Sequence, residues 1–442
     1  MLVSEGPPLA RRCLRYSRLV DRIGALLHDR LRAGVLGAVG LGIVLRLIWP
    51  SDMEYKGDEH YAYVHALVAT PALLGQRASV GIPNPGMGEW VYWLIAHLER
   101  LLSGGAPSPV ALDRGVMVLN VLTLVALMVF ALRVVSPRER QPWLYATALQ
   151  AVNPMAILFS RKLWIECLLA PFALGMLFAW WRRRTRAGAF AWGVLGLWLG
   201  QIHMTGLFLA PALVVWTALF DRRSVRWRWW VAGSALGAVT LIPWLLHLLS
   251  SHSAGAHNFS GILGSDGNFW YFWLTTPIGR PILTSFGSQA GNLLAWPQIA
   301  GVSVHLVGLA EDVSIVAAVI TFAKAFGALL EGRLRPELGT DRVRRSDTTL
   351  VVSAATIGFG ILLTASGVVI WRHYVTVAFV LPFLFLALAG VRAGRLGRRL
   401  LTLIVIAQAT MSVGYISYIH SNRGAPGGDY GYAFDSPGNP YH

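Results

Sequence analysis

The sequence predicts an all-α, polytopic membrane protein: a bundle of about eleven transmembrane helices with interfacial helices in its first outer loop. Three observations predict it. The 442 residues are 55% hydrophobic and only 14% charged, a balance suited to lipid rather than water. The apolar residues gather in blocks of roughly 17–25, the length a helix needs to cross about 30 Å of hydrocarbon. Finally, 27 of the 38 Lys and Arg fall in alternate connections between blocks, as the positive-inside rule requires of cytoplasmic segments.

The elements follow in order. Residues 1–32 hold seven Arg and no long apolar run, so they are read as a cytoplasmic basic segment and not a cleavable signal peptide. Block 33–49 leads into a first outer loop, 50–111. Blocks 112–132, 143–159, 163–181, 187–201, 204–220 and 229–249 come next, with basic inside connections at 133–142, 182–186 and 221–228. A second outer loop, 250–307, precedes blocks 308–330, 349–371, 375–391 and 400–418, with inside segments 331–348 and 392–399. The bundle therefore covers 33–418, and 419–442 form an extracytoplasmic tail. The expected location is the inner (cytoplasmic) membrane, N-terminus inside. The net charge of +16 becomes a topology signal whose partners are anionic lipid head groups, not nucleic acid. Cys13 and Cys167 lie in different compartments and form no disulfide framework. There is no zinc spacing, Walker loop or GxGxxG site.

Polar residues on the outer face are few, so each is informative. "SDMEYKGDEHYAY" (51–63) crowds Asp52, Glu54, Asp58 and Glu59 against an apolar boundary, where paired acids are kept for chemistry or for a cation. Asp58 is placed to cap a helix through "EHYAYVHALVA", with Tyr61 and His65 on its face. In "GEWVYWLIAHLERLLSGG", Trp90, Trp93, Leu94, His97, Leu98 and Leu101 recur at helical spacing, which predicts a helix lying flat in the interface. Cations and partners stand at the outer ends of other blocks. Arg161 and Lys162 occupy one hairpin, with Glu166 a turn later; His203 tips another; Arg372, His373 and Tyr374 open a third. Acids in one loop and cations at several span ends describe a site for an anionic ligand plus a base. The 250–307 loop, aromatic and Gly/Pro-punctuated, reads as a lid or acceptor platform in which Trp270, Tyr271 and Trp273 can stack on sugars.

In order and placement these motifs resemble the GT-C integral-membrane glycosyltransferases, especially bacterial relatives of protein O-mannosyltransferases and of the lipid A aminoarabinose transferase. The resemblance rests on Asp58-Glu59-His60-Tyr61 in the first outer loop and on "IPNPGMGEWVYWLIAHLERLLSG" after it. Arg114 opens the next block. Asn153, Pro154, Ser160, Arg161 and Glu166 form the "NP…SR" hairpin, and Arg372, Tyr374 and Pro382 the late span; "GAPGGDYGYAF" forms the tail. It covers nearly the whole chain through short motifs. Relatives often carry His-Pro-Pro where this chain has Pro83-Asn84-Pro85.

The resemblance implies inverting transfer of a sugar from a polyprenyl-phosphate donor to an acceptor hydroxyl on a protein, lipid or glycan. It places the base at Asp58, with Glu59 second. Phosphate is its own good leaving group, so one carboxylate to take the acceptor proton and donors aimed at the phosphate suffice. Arg161, Lys162, Arg372, His373 and Tyr374 are the candidate phosphate ligands; Tyr61, His203, Glu166 and Arg114 are candidate sugar or supporting groups. Two acids beside a phosphate suit Mg²⁺, but Arg and Lys neutralise the same charge, so the expectation is no cofactor, with a divalent metal as the alternative. A transporter or flippase of lipid-linked sugars would need ionisable groups near the midplane and on both sides, where Lys324 is the clearest. An O-antigen-ligase-type transferase would carry a larger outer loop.

Overall fold

The structure, a computed structural model, describes residues 30–77, 83–250, 266–330 and 346–441. Residues 1–29 of the expected N-terminal basic segment, the 251–265 part of the second outer loop and the 331–345 part of the inside segment 331–348 lie outside the described residues. The described chain is helical, with three short antiparallel two-stranded ribbons as its sheets.

α1 (30–47) is followed by Trp49, which takes the left-handed φ of 48°, before a 3-10 turn over Pro50–Asp52. The carbonyls of Leu45, Ile48 and Trp49 accept from the Arg161 guanidinium at 2.7, 2.6 and 2.9 Å. One buried cation thus satisfies a helix end that has no intrahelical donors. The first loop contains α2 (Gly57–Ala66), the ribbon β1–β2 (Leu74–Arg77 with Pro83–Pro85) and α3 (Met87–Ser103).

α4 (Pro109–Val129) starts on Ser108, whose hydroxyl accepts the Ala111 N–H, and continues as a π-helical turn to Val134. α5 (Arg140–Val152) stops before Pro154, which lacks the N–H to continue it. Asn153 then caps α6 (Pro154–Leu158) by accepting from the Met155 and Ala156 N–H groups, so the expected 143–159 span is two pieces. A 3-10 turn, Ile165–Leu168, opens α7 (Leu169–Trp181). α8 (Arg186–Ile202), α9 (Gly206–Asp221), α10 (Trp227–Val239) and α11 (Ile242–Ser250) follow. α8 and α10 cross closely because Gly193, Gly233 and Gly237 remove the Cβ atoms between them. A Cβ on Gly233 would stand 2.0 Å from the Phe190 carbonyl oxygen, the small-xxx-small device of helices in lipid.

α12 (Asn268–Thr275), α13 (Ile282–Phe286), α14 (Ala290–Leu294) and the ribbon β3–β4 (Gln298–Ile299 with Val302–Ser303) occupy the described part of the second loop. α15 (Leu306–Leu330) comes next; α16 (Asp347–Ser353) then runs through a π-helical stretch into α17 (Gly360–Ala365). A 3-10 helix, Arg372–Ala378, precedes α18 (Leu381–Arg392) and α19 (Gly394–Asn422). The ribbon β5–β6 (Gly424–Ala425 with Gly431–Tyr432) closes the tail.

Among the described residues four helices are long and apolar enough to cross a membrane: Pro109–Val134, Leu306–Leu330, Asp347–Ala365 and Gly394–Asn422. There are six if two bent pairs each count as one span: α10–α11, bent by 59°, and Arg372–Ala378 with α18, bent by 74°. Pro243 and Pro382, each one residue into its second helix, account for the bends. Other apolar blocks form shorter helices, 13 residues in α5 and α7, 17 in α8 and 16 in α9.

The tail folds back on the first loop. The backbone N–H of Phe434 donates to Met53 O at 3.0 Å and that of Asp435 to Ser51 O at 3.3 Å. Asn439 Nδ2 donates to Tyr55 O at 3.0 Å, and the Tyr430 hydroxyl to Asp52 O. The acidic island is thereby held between the 160s hairpin on one side and the last residues on the other.

Candidate active site

Where α2, α3, the 160s hairpin, the α8–α9 turn and the Arg372–Ala378 segment meet, they enclose a cavity of about 560 Å³. α2 contributes Asp58 and Tyr61 to its wall; the β1–β2 ribbon and α3 contribute Gln76, Asn84 and Glu89. Glu166, His203, the run Arg372–His373–Tyr374 and Asp429 complete the polar lining.

Asp58 sits in the first turn of α2, after its start at Gly57. The expected N-cap role is therefore corrected. Glu59 closes the helix end instead, its Oε2 accepting the Lys56 backbone N–H at 3.1 Å, and Asp58 Oδ1 accepts from Gln76 Nε2 at 2.6 Å. Glu89 accepts the Gln76 backbone N–H at 3.1 Å, and burial raises its pKa above the carboxylate norm.

Below the cavity lies a buried charge network. Glu54 bridges Lys56 at 2.8 Å and Lys162 at 2.9 Å. Glu59, fully buried, stands 3.8 Å from the same Lys162 ammonium. That ammonium also lies 3.4 Å from the centre of the Trp164 ring, a cation–π contact. Burial, with the Glu54 charge second, pushes the Glu59 carboxyl up to about 8. At the rim, Arg372 donates to Ser285 Oγ at 2.7 Å and to Asp429 Oδ2 at 2.5 Å, while Lys56 reaches Asp429 Oδ1 at 3.0 Å. Burial alone would raise the Asp429 pKa; Lys56 and Arg372 overrule it and hold the carboxyl below its ordinary value.

Of the residues singled out in the sequence, Asp58, Tyr61, Glu166, His203, Arg372, His373 and Tyr374 come together at the cavity wall. Glu59 and Lys162 lie in the network beneath. Two do not join them. Arg161 spends its guanidinium on the end of α1, and Arg114 is exposed on α4. Trp273, expected to stack on a sugar, is buried against Phe269 with ring centres 5.4 Å apart; its neighbour Phe272 lines the cavity instead. Sequence reasoning passed over Gln76, Asn84, Glu89 and Asp429. Asp429 had a signal, the lone acid in "GAPGGDYGYAF", and Glu89 another, a carboxylate in the first turn of α3 ahead of the apolar run Trp90–Ala96; Gln76 had none.

Glu166 Oε1 lies 3.5 Å from His203 Nε2 and 3.6 Å from His373 Nε2. The three side chains bring one ligand atom each within 4.8 Å of one another, a grouping that bears on the divalent-metal alternative, although none of the three was singled out for it in the sequence. No family model, curated protein or solved structure matches this chain.

Proposed function

We propose that this chain is a GT-C-type integral-membrane glycosyltransferase. It would transfer a sugar from a polyprenyl-phosphate donor, with inversion, to an acceptor hydroxyl on a protein, lipid or glycan at the extracytoplasmic face of the cell membrane. The topology proposed with it is the eleven-span one, N-terminus inside, with α3 lying in the interface. Leu94, Leu98 and Leu101 of α3 are 58%, 56% and 83% exposed, and that stripe is what an interfacial helix buries in lipid. Membrane lipids are its other partners.

The observation that carries the reading is that a carboxylate, Asp58, and a guanidinium, Arg372, line one cavity although 314 positions separate them. In the proposed step Asp58 takes the proton of the acceptor hydroxyl. The hydroxyl oxygen bonds to the anomeric carbon from the face opposite the phosphate, and the carbon–oxygen bond to phosphate breaks, releasing polyprenyl phosphate. Gln76 holds one Asp58 oxygen and leaves the second to accept the proton. Arg372 meets the charge gathering on the phosphate, with Tyr374 beside it. Lys162 supports the same field from beneath. Arg161 and Arg114 are given no part in the step.

The test is purified protein incubated with a panel of polyprenyl-phosphate sugars and read by mass spectrometry. Consumption of one donor by the native chain, and loss of roughly 10²–10⁴ in rate in Asp58→Asn, are expected. No donor consumed, or an undiminished rate in Asp58→Asn, overturns the reading.

A further inference from the structure

We propose that Glu166, His203 and His373 form a site for one divalent transition-metal ion, with Zn²⁺ the best match to the donor set. The contacts of 3.5 and 3.6 Å from Glu166 Oε1 to the two imidazole Nε2 atoms are too long for hydrogen bonds. They are the right length for ligands sharing an ion. Two donors each about 2.0–2.1 Å from Zn²⁺ and a tetrahedral angle apart stand roughly 3.4 Å from one another. All three ligand atoms lie within 4.8 Å, so a small rotation of one ring closes the triad.

The surroundings hold the ligands as a metal site requires. His203 Nδ1 lies 2.7 Å from Thr205 Oγ1. A proton on that nitrogen donates to the hydroxyl and turns the Nε2 lone pair toward Glu166, the outer-shell orientation typical of metal-bound histidine. The Thr205 backbone N–H, at a longer 3.3 Å from the same nitrogen, is the competing contact that such a proton displaces. The His373 ring is wedged edge-on between Trp164 and Tyr374, with ring centres 5.4 and 4.8 Å away. Three separate elements supply the ligands, and all three side chains line the cavity. Three protein ligands with a fourth position open to a cavity is the pattern of a reactive zinc site, whereas a structural one is closed by four. Two imidazoles disfavour Mg²⁺ and Ca²⁺, which prefer oxygen donors. The site stands on its own geometry. Its use, to bind a phosphate oxygen at the open position, rests on the glycosyltransferase reading.

The experiment uses the full chain in detergent, any affinity tag removed, stripped with chelator and titrated with Zn²⁺ and Co²⁺. One Zn²⁺ per chain should survive gel filtration, and Co²⁺ should give the visible absorption of a low-coordinate site that Zn²⁺ bleaches. His373→Ala and Glu166→Gln should each abolish the Co²⁺ band. Thr205→Val should weaken binding by roughly 10–100-fold, the usual effect of losing an outer-shell partner, and His247→Ala, on α11, should change nothing. Absence of stoichiometric metal in the native chain, or the same band in His373→Ala, overturns the site. Metal bound without any donor consumed leaves the site standing and sinks the transferase reading; donor consumed at the full rate by the stripped chain leaves the transferase reading standing and overturns the metal's use on the phosphate.

Discussion

At the scale of single residues, the two neighbouring acids of α2 have been given opposite environments. Asp58 lines the cavity; Glu59, one position on, is sealed in the network with Glu54 and Lys162. Helical geometry turns consecutive side chains about 100° apart, which is enough to separate an open carboxylate from a buried one. The Glu59 pKa, pushed up to about 8 from 4.5 by burial first and Glu54 second, makes a pH prediction. Across that window the folded chain binds a proton that the unfolded chain has released. This contribution to stability is therefore complete below about pH 4.5 and is lost as pH rises toward about 8. The thermal midpoint should fall over this range in the native chain, and Glu59→Gln should flatten the fall, as differential scanning fluorimetry in detergent can read. An equal slope in both proteins would refute the assignment. Arg372, with donors on Ser285 and Asp429, has the planar geometry that Lys cannot reproduce. Arg372→Lys should cost transfer roughly 10²–10³ in rate while the protein still elutes as a folded species.

Among the helices, spacing made the apolar blocks legible and prolines redrew their limits. Block 308–330 became α15 almost intact, because nothing in it interrupts the helix. Block 143–159 divided at Asn153-Pro154, and block 375–391 opened in a 3-10 turn before Pro382. Apolar content announces a membrane segment, whereas the break depends on one missing N–H that a hydropathy average does not register. The α8–α10 crossing is another such local signal. Gly233 and Gly237 are four apart, and a Cβ on either would meet the backbone of Phe190 or Val194. Gly233→Leu should force the pair apart at a cost of about 1–3 kcal/mol or more, read as a lowered thermal midpoint. A surface change on the same helix, Val231→Leu, should leave the midpoint unmoved.

For the molecule as a whole, long-range partners were the part the sequence hid. His203 and Arg372 could be chosen singly because each is a polar group just past the end of an apolar block, and Asp58 because it belongs to a crowd of four acids in the first outer loop. Nothing in the order of residues tells that Arg161 would turn to the carbonyls of α1, or that Asp429 would meet Arg372 and Lys56. Those pairings depend on how distant segments pack. Orientation is tested at this scale: a cysteine introduced at position 58 should react with a membrane-impermeant reagent added outside intact cells, and reaction only after lysis would reverse the topology. Ending the chain after Asn422 removes the strands and hydrogen bonds that clamp Ser51–Tyr55. The shortened protein should still insert but transfer at least tenfold more slowly; transfer at the full-length rate would mean the clamp is dispensable. The carboxylate of Asp429 gives this tail one more effect. Arg372 and Lys56 already share a resident counter-ion, so an arriving phosphate must exchange for it. Loose inorganic phosphate, with little else to offer, gains almost nothing from the swap, while a ligand anchored by a long hydrocarbon chain can displace the incumbent and stay.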